Sequence, residues 1–579
     1  MNSYLKFKTN RSLRRFKRSF KTWEIWFGNY LNRHLIGGWK KLGEVRWMVI
    51  GMALIVLVSC WGILSQMNSA NAHYLTAAPL SGGVYAEAIS DKVTSVNPLF
   101  NDNSGSSDVS RLVFSGLTRV NSNRQIEGDL AESWDVSADK KTYTFHLRPN
   151  VFWHDGAKFT ADDVAFTIAR VQNPDTRSSE TANWSNVKYQ VVDPLTITFT
   201  LPTSYGPFLS NATLGILPKH LLENVRPSLL KTHEFNQKPI GTGPYILPQL
   251  DPHAQTISLL ANKKYYFGAP YIDKFEFVEY ASASDYLDGY AKQQVLGFAV
   301  TNPEELHTVN KIDSISVHHL NLPAYAGAFF NMKSPELADP RLRQALAYAT
   351  DKKSLVSNQL HNQAIAVPYP ILAGYSGFDA SVPRYDYNVL AAQGLAQQIG
   401  QTNLNNTTIT IATLKNSSYE DVAEALKSMW EKLGLHVEIN AMDLGALQQT
   451  AIRPRNYDVL LYGQDLGVDS DVYSYWHSSQ VSDPGLNVSN YSSVEVDKLL
   501  EAGRIAKDSE YRQSRYAAFL QAWSKDLPAI ILYTPFYNYA QSDALHGFSA
   551  QKISEPSDRF YNVEKWYLNT SLQPKSTVK

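Results

Sequence analysis

The chain has 579 residues, 44% hydrophobic and 19% charged, with 31 Gly and 27 Pro, which describes a folded chain of several domains and excludes a collagen-like or low-complexity protein. Its single Cys, Cys60, excludes an internal disulfide and any multi-thiolate metal site. The formal net charge is +0, yet residues 1–46 hold twelve Lys or Arg against only Glu24 and Glu44, so the rest of the chain is acidic.

The basic tail comes first. Leu13, Phe16, Phe20, Trp23, Phe27 and Tyr30 recur at three- and four-residue steps among Arg14, Arg15, Lys17, Arg18 and Lys21, the pattern of an amphipathic helix lying on anionic lipid. A nucleic-acid arm is set aside because the stripe feeds into an apolar run, and no nucleic-acid partner is expected. That run, Trp47 to Leu64, is eighteen residues without a charge, close to the shortest helix that spans a bilayer. With the basic flank on its N-terminal side, the positive-inside rule puts Met1 in the cytoplasm and the main body outside. The expectation is a cytoplasmic tail at 1–46, a transmembrane helix at 47–66 and a linker at 67–80, a single-pass protein of the cell membrane. Leu57-Val58-Ser59-Cys60 also resembles a lipobox, so acylation of Cys60 is the alternative anchor.

Beyond the linker, strand and helix signals alternate. Tyr143, Phe145 and Leu147 fall on one face of a strand, as do Leu195, Ile197, Phe199 and Leu201. Thr160 with Asp163 starts a helix over Val164–Arg170, and Asp339-Pro340 opens one with Leu342, Ala345, Leu346 and Ala349 on its buried face. From Thr408 the chain reads strand (Thr408–Ala412), helix (Tyr419 to Leu433), strand (His436–Ile439) and strand (Tyr457–Tyr462). Open sheets of this kind bind ligands beyond the carboxyl ends of their strands. Gly463-Gln464-Asp465 lies there, followed by Asp469 and Asp471.

Catalytic motifs are missing: no Gly-x-Ser-x-Gly elbow, His-Glu-x-x-His helix or phosphate loop occurs. Gly241-Thr-Gly-Pro-Tyr245 reads as a turn, since Pro244 removes a donor that a phosphate cradle would use. His318-His319 and His154-Asp155 read as strand or turn residues, because neighbours on a strand point to opposite faces. No enzymatic activity, cofactor or metal site is expected.

Several segments carry a resemblance. They are Val113-Phe-Ser-Gly-Leu-Thr-Arg119, Leu130-Ala-Glu-Ser-Trp134, Tyr143 to Arg148, and Phe152-Trp-His-Asp-Gly156 running into Phe159-Thr-Ala-Asp-Asp-Val164. Ile216 to Leu221, Gly241 to Tyr245, Phe330-Asn-Met332 and Asp339 to Leu346 continue the series. In order and spacing they resemble the extracytoplasmic solute-binding proteins of peptide ABC transporters, the dipeptide- and oligopeptide-binding members of bacterial family 5. The resemblance implies an α/β, two-lobed periplasmic-binding-protein-like fold of type II with an extra inserted subdomain. Lobe I would comprise 81–120, 188–320 and 530–579, the inserted subdomain 121–187 and lobe II 321–529, with hinge strands near Asn321-Leu322-Pro323 and Asp526-Leu527-Pro528.

The same resemblance implies a monomeric receptor that encloses peptides between closing lobes and hands them to an ABC permease and its ATPase. A peptide sensor, or a carrier of nickel chelates, haem or sugars, is the alternative. In the family an Asp just after a strand of the second lobe pairs with the ligand's amino terminus, and Asp465 falls at that place. The chain departs from the usual pattern after it, leaving Asp469 and Asp471 as alternatives. Asn97, Tyr325, Phe329 and Asn331 are the further expected cleft residues.

Overall fold

A computed structural model describes residues 50–62, 65, 75–101, 103–300, 303–469, 471–506 and 508–574. The chain divides into two compact units, 1–78 with 570–579, and 79–569. In the first unit residues 50–62 are helical, and strand β1 (Leu75–Leu80) pairs with the final strand, Asn569–Pro574. Among the described residues no helix is long and apolar enough to cross a membrane. The rest of the predicted span, apart from Ser65, and the aromatic stripe of the basic tail lie outside the described residues.

The second unit opens with β2 (Val84–Ile89) and the helix Ser104–Val113, whose Asn103 cap accepts from the Ser106 amide. β3 (Thr118–Val120) and β4 (Ile126–Gly128) form a short antiparallel pair. β5 (Ala131–Val136), β6 (Thr142–Leu147), β7 (Lys188–Asp193) and β8 (Thr196–Thr200) make an antiparallel sheet in the order β5-β6-β8-β7. The sheet runs past residue 187, the expected limit of the inserted subdomain, because β8 hydrogen-bonds to both β6 and β7. The helix packed on it, Ala161–Gln172, starts with the Thr160–Asp163 capping box read from the sequence.

β9 (Tyr245–Ile246), β10 (Thr256–Ala261), β11 (Lys274–Glu279), β12 (Gly297–Val300) and β13 (Ile315–Asn321) complete the first lobe's strands. β11 and β12 flank β2 in parallel, and β10 returns antiparallel to β11. One hydrophobic core joins this part of the large sheet to the four-stranded sheet, with Phe145 and Phe199 from one and Phe275 and Phe277 from the other. The Gly241–Tyr245 turn packs inside the same lobe. A Cβ at Gly241 or Gly243 would collide with the carbonyls of Val113 and Leu112, so close backbone packing explains these glycines.

The second lobe holds β14 (Ala324–Phe330), β15 (Ala364–Ala366), β16 (Thr408–Leu414), β17 (His436–Met442) and β18 (Val459–Asp465). β16 and β17 run parallel in full register, β18 runs parallel to β16, and β14 is antiparallel to β18. Strand alternation sorts side chains between two cores. Ala326, Ala328, Phe330, Val459 and Leu461 face the helices Pro340–Ala349 and Ser418–Trp430. Tyr325, Phe329 and Leu460 face the helices Val494–Arg504 and Ser509–Asp526. A sheet covered on both faces explains why these strands read as apolar runs.

β19 (Ala529–Ser542) joins the lobes. Its first part pairs with β14 and β15, and its second part pairs with β13 and β12. The strand passes from one lobe's pairings to the other's at Thr534–Phe536, inside a continuous strand rather than at Asp526-Leu527-Pro528. Leu322-Pro323 makes the neighbouring passage between β13 and β14.

Candidate functional site

A cavity of about 670 Å³ lies between the lobes. On the first lobe it is walled by the helix Ser104–Val113 through Ser107, Ser110 and Arg111, by Tyr205, and by Ser554, Glu555 and Asp558. On the second lobe it is walled by Asp465 to Asp469 and by Tyr475. Asp465 is the last residue of β18, at the carboxyl end of a strand parallel to β16. The next amide, Leu466 N, donates to Pro323 O at 2.6 Å, which ties the site to one of the segments joining the lobes.

The three expected carboxylates differ in their surroundings. Asp469 receives two hydrogen bonds from Arg512, Nη1 to Oδ2 at 3.0 Å and Nη2 to Oδ1. Asp471 is 3% exposed and is held by Arg504 Nε at 2.7 Å. Asp465 forms no ion pair among the described residues. Its Oδ1 accepts from the Gly467 amide at 2.9 Å, and its side chain opens into the cavity. Protein around the cleft partly desolvates this carboxyl and raises its pKa. The Gly467 bond opposes the rise, Glu555 adds to it and Arg124 lowers it. Tyr475 donates its hydroxyl to the Asp465 carbonyl, and burial beside that carboxylate pushes the phenol up to about 12.

The other four expected residues are placed elsewhere. Asn97 is fully buried, donating to Asn236 Oδ1 at 2.9 Å and accepting from the Leu99 amide at 3.1 Å. Tyr325 is buried and donates to Gln464 Oε1 at 2.6 Å. Phe329 packs 6.0 Å from Trp476, centroid to centroid. Asn331 donates to the carbonyls of Arg455 and Tyr457 and accepts from Asn490 Nδ2 at 2.9 Å. Each satisfies core polarity or fills a core, and none lines the cavity.

The sequence reading missed the first lobe's wall. Asp558 caps its own segment, accepting from the amides of Ser554 at 2.9 Å and Glu555 at 3.2 Å. Burial and the neighbouring Glu555 push its carboxyl up to about 6, against the pull of Arg111. Behind it, Arg559 is enclosed with Glu87 and Asp108 and donates to both, at 3.1 Å from Nε to Glu87 and 2.8 Å from Nη1 to Asp108. Desolvation raises the pKa of both carboxyls, opposed by Arg559. A Glu-x-x-Asp capping pattern at Glu555 was the only available signal.

The lobes also touch directly. Arg124 donates from Nη1 to Tyr375 Oη at 3.1 Å, and Tyr375 donates to Gly467 O at 2.8 Å. Arg124 further donates to Ile553 O at 3.0 Å and to Asn321 O. Among the described residues no group of three or more His, Cys, Asp or Glu is placed to hold a metal ion.

A two-lobed α/β body with a polar-walled cavity at strand ends, and segments crossing beneath it, is the architecture of a solute-binding protein. The family model "Bacterial extracellular solute-binding proteins, family 5 Middle" matches residues 125–484, and the chain belongs to that family. It is 28% identical over 549 residues to the oligopeptide-binding protein AppA of Bacillus subtilis, covering 91% of this chain and 99% of that one. The structure of AppA in complex with a nonapeptide superposes with a TM-score of 0.68 at 27% identity, covering 85% of this chain and 100% of that one. NikZ of Campylobacter jejuni, in complex with Ni(L-His), matches with a TM-score of 0.68 at 27% identity, covering 84% of this chain and 99% of its own.

Proposed function

We propose that this protein is a membrane-tethered receptor that captures peptides between its lobes and delivers them to an ABC permease and its ATPase. One observation carries the reading: of three neighbouring carboxylates, Asp465 alone opens into the cavity without a cation of its own. A free amino terminus is the complementary group, and enclosure between lobes strengthens the pair by lowering the local dielectric. An extended peptide offers main-chain donors and acceptors common to every sequence, which suits capture of varied ligands. The likeness to AppA supports peptides as the ligand class, and the likeness to NikZ supports a second reading, a metal chelate. Closure would turn on Leu322-Pro323 and Thr534–Phe536. The tether is the run Trp47 to Leu64, as a spanning helix or through acylated Cys60.

The test uses the purified full-length protein in detergent, with calorimetry and thermal unfolding against a mixed peptide pool and the same pool N-acetylated. A ligand at 100 times its dissociation constant adds about 2.7 kcal/mol of stability. Stabilisation that acetylation abolishes supports amine capture. Stabilisation by nickel–histidine and by neither pool supports the chelate reading.

A further inference from the structure

Within the second lobe, sharing no wall residue with the cleft, lies a small cavity of about 10 Å³, room for one group the size of a water. Ala347 of the helix Pro340–Ala349, Tyr369, Trp523 near the end of the helix Ser509–Asp526 and Ile530 of β19 help to close it. Two cations, Lys352 and Arg384, stand in its wall, and no carboxylate does. The lining's hydroxyls are spent on the backbone: Tyr369 donates to Val382 O, Tyr385 to Ser524 O at 3.2 Å and Ser524 to Pro383 O at 2.6 Å. Lys352 donates to Val367 O at 3.3 Å and forms no ion pair among the described residues. Burial pushes its ammonium down to about 8, against the pull of Asp386. That carboxylate is 78% exposed and stands 3.7 Å from Arg384 Nε. Trp523 is 2% exposed, and among the described residues its Nε1 has no hydrogen-bond partner.

We propose that this cavity binds a single chloride ion, held by the Lys352 ammonium and the Trp523 indole N–H. A buried ammonium without a counter-charge is costly, and so is a buried donor without an acceptor. One anion in the cavity that both residues line answers both, supplying the missing charge and accepting from the indole. Water would accept from both donors but leaves the charge uncompensated. The two cations in the wall favour an anion, and their attraction for it is stronger here than in bulk water because the surroundings are less polarisable. The volume admits a monatomic ion and excludes polyatomic oxyanions such as sulfate. An ion at this place braces the second lobe where β19 begins its course toward the first. The site is separate from the cleft and does not depend on the peptide-capture reading.

The experiment follows thermal unfolding of the full-length protein in detergent at constant ionic strength, while sodium gluconate is exchanged for sodium chloride or sodium bromide. Both halides are expected to raise the midpoint by about 1 °C for each tenfold of halide above its dissociation constant. Lys352→Met keeps an apolar stem without the charge and is expected to abolish the rise. Trp523→Phe keeps a ring without the N–H and is expected to need about tenfold more halide, the worth of one hydrogen bond to a charged group. Crystals grown in bromide are expected to show an anomalous peak in the cavity beside Lys352 Nζ. A midpoint indifferent to halide, a rise of the same size in Lys352→Met, or bromide crystals without that peak overturns the inference. Should Lys352→Met not fold, the bromide peak and the Trp523→Phe titration decide. None of these outcomes bears on peptide capture.

Discussion

Asp469 and Arg512 meet as a two-pronged ion pair, with Nη1 3.0 Å from Oδ2 and Nη2 on Oδ1. The pair joins the segment after β18 to the helix Ser509–Asp526, so Asp469 serves the second lobe's own architecture. Asp471 does the same with Arg504. The carboxylates nearest in sequence to Asp465 are thereby committed, and the two groups predict opposite phenotypes.

Asp465→Asn is expected to weaken binding of free-amine peptides by about 2 kcal/mol, roughly thirtyfold, with little change in unfolding midpoint. Asp469→Asn is expected to lower stability by about 3 kcal/mol, because Arg512 loses its partner in a mostly enclosed position. Calorimetric titration and denaturant unfolding of both variants check the contrast. A larger binding loss in Asp469→Asn than in Asp465→Asn would reverse the assignment.

Arg559→Leu leaves Glu87 and Asp108 buried together without a cation and is expected to cost about 3–5 kcal/mol at neutral pH. Desolvation already raises both carboxyls, and losing Arg559 raises them further. The folded variant then holds more protons than the unfolded chain, so its stability rises as pH falls. The deficit relative to the wild type should therefore shrink between pH 8 and pH 5, as read by denaturant midpoints across that range.

Asp558 carries a pH dependence of its own. Its carboxyl, pushed up to about 6 in the folded protein, titrates near about 4 when unfolded. The stability that its retained proton supplies is complete below about pH 4 and lost as pH rises to about 6, a change of about 3 kcal/mol. In Asp558→Asn this part of the slope should vanish. Unfolding free energies of the two proteins between pH 4 and pH 7 supply the comparison.

Tyr375→Phe removes the hydroxyl that links Arg124 on one lobe to the Gly467 carbonyl on the other. Loss of about 1 kcal/mol from the closed form is expected to raise the dissociation constant about fivefold by favouring open molecules. Small-angle scattering of the unliganded variant should show a larger radius of gyration than the wild type. Unchanged affinity and dimensions would remove the contact from the closure equilibrium.

The second lobe was legible where pattern is local. The β-α-β unit from Thr408, its following strand and the helix at Asp339-Pro340 appear as read, because a strand's period of two and a helix's capping residues are visible in a short window. The place of Asp465 at the carboxyl end of β18 followed from the same unit. Asn97, Tyr325 and Asn331 were not legible as core residues, since their partners Asn236, Gln464 and Asn490 stand 139 or more residues away. The wall at Ser554–Asp558 was missed for the same reason: it reaches the cleft through long-range packing on the helix Ser104–Val113. The extent of β19 was hidden by Pro535, which reads as a strand break, although the strand continues through it.

β19 is the last strand of the large sheet to be made, yet it sits between β14 and β12 in the sheet order. Until residue 542 has been synthesised, each lobe holds a sheet with its inner edge unpaired, however early its other strands were made. Neither half can finish folding on its own during synthesis, and the two become native together when the shared strand docks. A truncation anywhere before Ala529 would remove both lobes rather than one.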